Sequence, residues 1–261
     1  QWDQDEIDYM MIGDSFAQGF CVNRPFDIAS VLRKKYKKNV ITLGFSGNGP
    51  LTEYASFREY YQKNIKKVFW VYYEGNDLSE LNSEYKIKIL KKYIEDINFK
   101  QNLKNRQKEL DMLANNRLNE DIKNRRNIEY KYYLNFNFTS FIKLYNLKLF
   151  IYPMKEQPNF LIFKQILKSV KRQATINNSE LYFVYLPEYA RYKHNYDDTN
   201  YLKIKQILKN LNINLIDIHK NVFLKMKDPL SFFHFKMYSH YNEEGYSKIA
   251  ENIYLFVNNE H

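Results

Sequence analysis

The stretch YMMIGDSFAQGF, residues 9–20, decides how the rest of the chain is read. Its apolar run, Tyr9 to Ile12, stops abruptly at Gly13-Asp14-Ser15. Gly, Asp and Ser are ordinary turn formers, and Asp or Ser often caps a following helix by accepting from its free N–H groups. A Ser at the C-terminal tip of a buried strand, just before a helix, is also where open α/β sheets place reacting groups. The fragment alone leaves both readings open, and what stands at the tips of the other strands must choose between them.

Further strand-like runs lie at residues 39–43, 67–73, 181–186 and 213–218. Segments with helical periodicity stand at 26–36, 51–64, 201–211 and 242–257. The run KVFWVYY at 67–73 is apolar throughout, as a strand covered on both faces must be. Strands alternating with helices predict a flavodoxin-like three-layer α/β/α fold around a mainly parallel five-stranded sheet. Right-handed crossovers then gather every strand-to-helix loop on one edge. Residues from about 78 to 158 break this rhythm. They are rich in Lys, Asn, Arg and Glu, with helical patterns around 79–99 and 101–128. A following aromatic stretch, YKYYLNFNFTSFIKLYNLKLF at 130–150, suits helix or strand. The expectation is one domain over 1–261 with a helical insertion at about 78–158. That insertion either caps one end of the sheet or is a solvated elaboration.

Composition narrows the classes. Apolar residues make up 44% of the 261, enough for a sizeable core, and no stretch is long and apolar enough to span a membrane. The single cysteine, Cys21, excludes an internal disulfide and a multi-cysteine zinc site. No two-His-plus-carboxylate spacing points to a metal, and no cofactor is expected. The formal net charge of +10 suits a polyanion, but abundant Lys, Asn, Ile and Tyr with only seven Gly equally reflect AT-rich coding. No zinc-finger, RNP-like or basic-zipper pattern is present, so no nucleic-acid partner is expected. The chain starts at Gln1 rather than Met. A targeting segment removed before it is left open, and with it the compartment, cell envelope or cytoplasm.

Four blocks fall at the C-terminal ends of strands or lead into the last helix: Gly13-Asp14-Ser15, LGFSGNGP at 43–50, Glu74-Gly75-Asn76-Asp77, and SHYNEEGY at 239–246. Singly each is weak, since Gly-Asn-Gly-Pro is an ordinary loop and an Asn-Asp pair often caps a helix. Together they supply a nucleophile, backbone amides exposed by glycine, an amide side chain and a base. Acyl transfer needs that inventory. The order and chemistry resemble the SGNH superfamily of esterases and acyltransferases, also called the GDSL hydrolases. The longer strings GDSFAQGFCVNRPFDIASVLR, GNGPL and YYEGNDL look like a bacterial branch of it. The resemblance covers about residues 7–77 and 180–258. It implies Ser15 as nucleophile, His240 as general base, and an oxyanion hole made by the backbone N–H groups of Ser15 and Gly47 with the side-chain amide of Asn76. Asp14 and Asp77 then brace the loops.

Two positions depart from that family's pattern. Glu74 stands where its third block usually has Gly, and reads as local packing, a loop hydrogen bond or a charge at the pocket. The family commonly places an Asp two or three residues before its His, and here those positions are Tyr238 and Met237. The orienting group for His240 is therefore an acid from elsewhere, a backbone carbonyl, or nothing in a weak or dead enzyme. A main-chain carbonyl between Lys236 and Tyr238 is the expected choice. His234, six residues before His240, reads as a packed residue or a pocket wall, and Cys21 as a poor candidate for the nucleophile. The resemblance implies a serine-dependent ester hydrolase that removes a small acyl group such as acetyl from a glycan. An O-acyltransferase with the same Ser–His pair, and a non-catalytic glycan- or partner-binding protein on the same fold, are the alternatives. The ester-bearing partner is a small molecule or a glycan, with 17% aromatic residues offering stacking surfaces. Oligomeric state is left open.

Overall fold

Alternate residues of the central strands point to opposite faces, and in this chain both sets are apolar. Met10, Ile12, Trp70, Tyr72, Phe183 and Tyr185 lie in one core cluster. Tyr9, Met11, Phe69, Val71, Tyr182 and Val184 lie in the other. A sheet built this way must be covered on both sides. The computed structural model describes residues 6–132 and 157–258, with backbone alone over 126–132.

The strands are β1 (Ile7–Gly13), β2 (Val40–Thr42), β3 (Ile65–Tyr73), β4 (Glu180–Leu186) and β5 (Asn214–Asp217). They form one five-stranded sheet in the order β2-β1-β3-β4-β5. Every neighbouring pair is parallel, with Met10 opposite Val68 and Trp70 opposite Phe183 in the register. This is the expected doubly wound sheet. Helices α1 (Ser15–Gln18) and α2 (Ile28–Tyr36) follow β1, and α3 (Pro50–Tyr60) follows β2. After β3 come α4 (Asp77–Glu84), α5 (Lys88–Glu95), α6 (Gln107–Tyr132) and α7 (Phe160–Ile176). The rest are α8 (Ala190–Lys193) and α9 (Thr199–Asn210) before β5, then α10 (Ile218–Asn221) and α11 (Glu243–Asn258). Helices α2 and α11 bury Ile28, Leu32, Ile249 and Ile253 on one face of the sheet. Helices α3, α7 and α9 bury Phe57, Phe163, Ile166 and Ile204 on the other.

The segment between β3 and β4, where an insertion at about 78–158 is expected, is divided between two compact units. One compact unit comprises Gln1–Phe99 with Pro158–His261, and a second comprises Lys100–Gln157. Residues 78–99 stay with the sheet because Leu78, Leu81 and Tyr93 are buried in its core. Arg58 fastens the end of that segment, donating to the carbonyls of Tyr93 at 2.7 Å, Asp96 at 3.2 Å and Phe99 at 2.9 Å. The second unit therefore begins at residue 100. In the second unit α6 is exposed almost throughout residues 107–125. From residue 133 the aromatic stretch at 130–150 lies outside the described residues. The helix α7 went unread in the sequence, although Phe163, Ile166, Leu167, Val170 and Ala174 repeat at helical spacing and are all buried.

Candidate active site

Asp14 ends β1 by capping the single turn of α1, its Oδ1 accepting from the Phe16 N–H at 2.8 Å. That cap places Ser15 at the first position of the turn, on the edge where the strand tips meet. The turn closes at Gly19, in the left-handed region at φ 80, where glycine avoids the steric cost other residues meet.

His240 reaches Ser15 from the far end of the chain. Its Nε2 lies 2.8 Å from Ser15 Oγ, across a sequence separation of 225. The imidazole packs between two rings, with centroids 4.5 Å from Phe16 and 5.1 Å from Phe20. Burial lowers its pKa from the ordinary value, and His234 adds to that shift. The ring is therefore neutral near pH 7, the state in which Nε2 can accept a proton. Ser15 Oγ also lies 3.4 Å from Asp14 Oδ2.

Asn76 occupies the N-cap position of α4 without a side-chain cap bond. Its Nδ2 lies 2.9 Å from Glu80 Oε1 and 3.4 Å from Asp14 Oδ2. Both partners are carboxyl oxygens, so the amide nitrogen faces the Ser15 turn while Oδ1 is buried without a partner. Asp77 Oδ2 accepts from the Tyr73 N–H at 3.0 Å and closes the loop that carries Asn76, as the sequence implied. Burial raises the Asp14 pKa, and it pushes that of Asp77 far above the carboxylate range. Glu80 is pushed up to about 7, chiefly by burial, against the hydrogen bond from Asn76.

Gly47 lies on the loop whose neighbouring residues, Phe45 and Ser46, bond to Gly13 and Gln18. Its φ is 85 and a Cβ there would meet nothing within 4 Å, so its backbone is open to a small ligand. The loop is held by Phe45 N–H to Gly13 O at 3.3 Å and by Ser46 N–H to Gln18 Oε1 at 2.8 Å. Gly44 makes this approach possible, since a Cβ there would lie 2.6 Å from the backbone of Ala17 and Gln18. Glu84 ties the same loop to α4, accepting from Gly49 N–H at 2.8 Å and Leu51 N–H at 2.9 Å. Ser15 and His240 are thus in direct contact, Asn76 is one residue away through Asp14, and Gly47 joins through its neighbours.

Solved structures share this fold. A G-D-S-L family protein from Desulfitobacterium hafniense, described as lipolytic, superposes with a TM-score of 0.51 at 14% identity, over 95% of this chain and 98% of its own. An acetyl xylan esterase, AlAXEase, gives 0.52 at 13%, over 96% and 100%. The chain has the GDSL-hydrolase fold. A lipase/acylhydrolase from Enterococcus faecalis gives 0.52 at 9%, over 97% and 96%. No family model and no curated protein matches the sequence.

Within this fold the expectation fails behind His240 and holds at Glu74, which makes a loop hydrogen bond. Among the described residues the expected carbonyl behind His240 is not found at Nδ1, and the bond there is to Cys21 Sγ, at 3.6 Å. The Lys236 carbonyl accepts instead from Tyr189 Oη at 2.9 Å, and Met237 and Tyr238 are 62% and 71% exposed. The one acid on the same segment, Asp228, pairs with Lys236 at 2.7 Å. Glu74, the second departure, carries no free charge to the pocket. It binds Arg191 through Nε at 2.7 Å and Nη2 at 2.5 Å, with both side chains under 5% exposed. It also accepts from Tyr185 Oη at 2.6 Å and the Glu188 N–H at 3.0 Å. Sequence reasoning missed Arg191 and Glu80. The Asn76–Glu80 spacing of four was a usable signal, whereas nothing local marks Arg191 as the partner of Glu74. His234 lines a cleft of about 430 Å³ together with Cys21, Phe235, Met237, Tyr238 and Ser239, the pocket-wall reading of the sequence.

Proposed function

We propose that this protein is a serine-dependent ester hydrolase that removes a small acyl group, such as acetyl, from a glycan. The observation that carries this reading is the 2.8 Å contact between His240 Nε2 and Ser15 Oγ at the tips of the sheet. Burial keeps the imidazole neutral, so Nε2 takes the hydroxyl proton as Ser15 Oγ attacks the ester carbonyl. The oxyanion is met by the N–H groups of Ser15 and Gly47 and by Asn76 Nδ2. The longer of the two Asn76 bonds, at 3.4 Å to Asp14, is the one exchanged for the oxyanion. Burial raises the pKa of Asp77 well above its ordinary value and that of Glu80 to about 7, which reduces the negative charge under this hole. His240 then returns the proton to the leaving alcohol, and water, activated in the same way, releases the acyl group. The small acyl group and the glycan rest on the likeness of fold to an acetyl xylan esterase and on the exposed rings of Phe20, Phe45 and Phe235 near the strand tips.

Turnover of p-nitrophenyl acetate by wild-type protein and by Ser15→Ala tests the chemistry. Acetate release from wild type and none from a folded Ser15→Ala protein is expected. Hydrolysis undiminished in Ser15→Ala removes the assignment. Acyl transfer to a sugar hydroxyl in place of hydrolysis, read by mass spectrometry, would reassign the same Ser–His pair to an O-acyltransferase. A protein that binds acetylated glycan without turnover would be a binding module.

A further inference from the structure

Among the described residues no carboxylate stands behind the Ser15–His240 pair, and yet Nδ1 of His240 has a neighbour. Base action through Nε2 requires the proton to sit on Nδ1, and that N–H needs an acceptor. Sγ of Cys21 lies 3.6 Å from Nδ1, within the reach of an N–H···S bond. The chain goes out of its way to put it there. Past the Gly19 turn, the Phe20 N–H returns to the Ser15 carbonyl at 2.9 Å. Cys21 itself takes a φ of 71, in the left-handed region that side chains with a Cβ seldom adopt. The result brings a residue six positions after the nucleophile against the far nitrogen of the base. Cys21 is also exposed, on the wall of the cleft it shares with His234.

We propose that Cys21 is the positioning residue for His240, standing where a serine triad has its carboxylate. Its sulfur accepts the Nδ1–H and holds the tautomer that takes the Ser15 proton. Sulfur is a weak acceptor, so the tautomer is held less firmly than by a carboxylate. A group attached to Sγ removes that acceptor and pushes the ring away from Ser15. This rests on the Ser15–His240 hydrolase reading above.

The test uses the whole chain as wild type, Cys21→Ala and Cys21→Ser, with p-nitrophenyl acetate as substrate and methyl methanethiosulfonate as thiol reagent. In the labelling step Cys21 loses its proton to solvent, and its sulfur attacks the reagent's sulfenyl sulfur. A mixed disulfide forms and methanesulfinate leaves. Cys21→Ala should lower kcat about tenfold, part of the 10²–10⁴ that general base catalysis contributes, with KM within about twofold. Cys21→Ser should recover part of that loss, because a hydroxyl also accepts. The reagent should inactivate wild type, dithiothreitol should restore it, and Cys21→Ser should not respond. Nitrogen NMR, with the His240 signals assigned by loss in His240→Gln, should show the Nδ1–H tautomer in wild type and a mixture in Cys21→Ala. A folded Cys21→Ala protein with wild-type kcat and tautomer overturns the proposal, as does modified wild-type protein that keeps its turnover. Should Cys21→Ala fail to fold, Cys21→Ser and the reagent on native protein decide. Wild-type protein with neither turnover nor reaction of Ser15 with a fluorophosphonate ends the hydrolase reading, and the tautomer comparison still decides whether Cys21 holds the ring.

Discussion

Replacing Arg191 by Met strands Glu74. In the fold this carboxylate is 3% exposed at its side chain and makes three charge-assisted contacts to the guanidinium, at 2.5, 2.7 and 3.1 Å. After the substitution only the Tyr185 hydroxyl and the Glu188 N–H still donate to it. Removing one partner of a buried ion pair costs about 3–5 kcal/mol, because the remaining charge stays desolvated. For a domain of this size each kcal/mol lowers Tm by roughly 2–4 °C, so Arg191→Met should melt roughly 6–20 °C below wild type. Glu74→Gln combined with Arg191→Met removes the stranded charge and should regain most of the loss, giving a strongly non-additive cycle. Urea titrations of the four proteins at pH 7.5 measure the coupling. Glu74 also begins the loop whose third residue is Asn76, so kcat should fall with stability in Arg191→Met and partly return in the double variant. A single variant within about 1 kcal/mol of wild type, or a double variant as unstable as the sum of the singles, would refute this account of Glu74.

Asn76→Ala should lower kcat by about 10²–10³ with little change in KM, since the amide acts mainly on the transition state; a pure KM effect would make it a ground-state binder. The pH profile of kcat/KM should rise as His240 loses its proton below the ordinary imidazole value. It should fall again as Glu80, beside Asn76 with a pKa of about 7, becomes negative under the developing oxyanion. Glu80→Gln should abolish that falling limb, and a limb that persists contradicts its assignment. Stability should decline from pH 5 to pH 8. Glu80, Asp77 and Glu53 have raised pKa values in the fold, so over this interval these three groups hold fewer protons in the unfolded chain than in the native one, outnumbering His219 and His240, whose lowered values act the other way. The stability present below the ordinary carboxylate range is therefore lost as pH climbs through the raised values. Thermal melts at both pH values check the sign.

Much of this was legible in the sequence because it is local. The apolar run before Gly13 and the uninterrupted KVFWVYY at 67–73 specify buried strands, and the parallel sheet follows from the helices between them. Ser15, Asn76 and the loop of Gly47 stand at strand tips for the same reason. What could not be read was long-range and charge-based. Arg191 finds Glu74 across 117 residues, and Cys21 finds His240 across 219. Neither pairing leaves a periodic trace. The expected carbonyl failed because Lys236 spends its own on Tyr189. Residues 78–99 belong to the compact unit of the sheet because Leu78, Leu81 and Tyr93 face its core, which the surrounding charges obscured.

The central claim is that Ser15 is a nucleophile activated by His240. Incubation of native protein with a fluorophosphonate, followed by proteolysis and mass-spectrometric peptide mapping, tests it most directly. The account predicts a single phosphonylated residue, Ser15, and no adduct in His240→Gln over the same interval. An adduct on another residue, or equal labelling without the His240 imidazole, would contradict it.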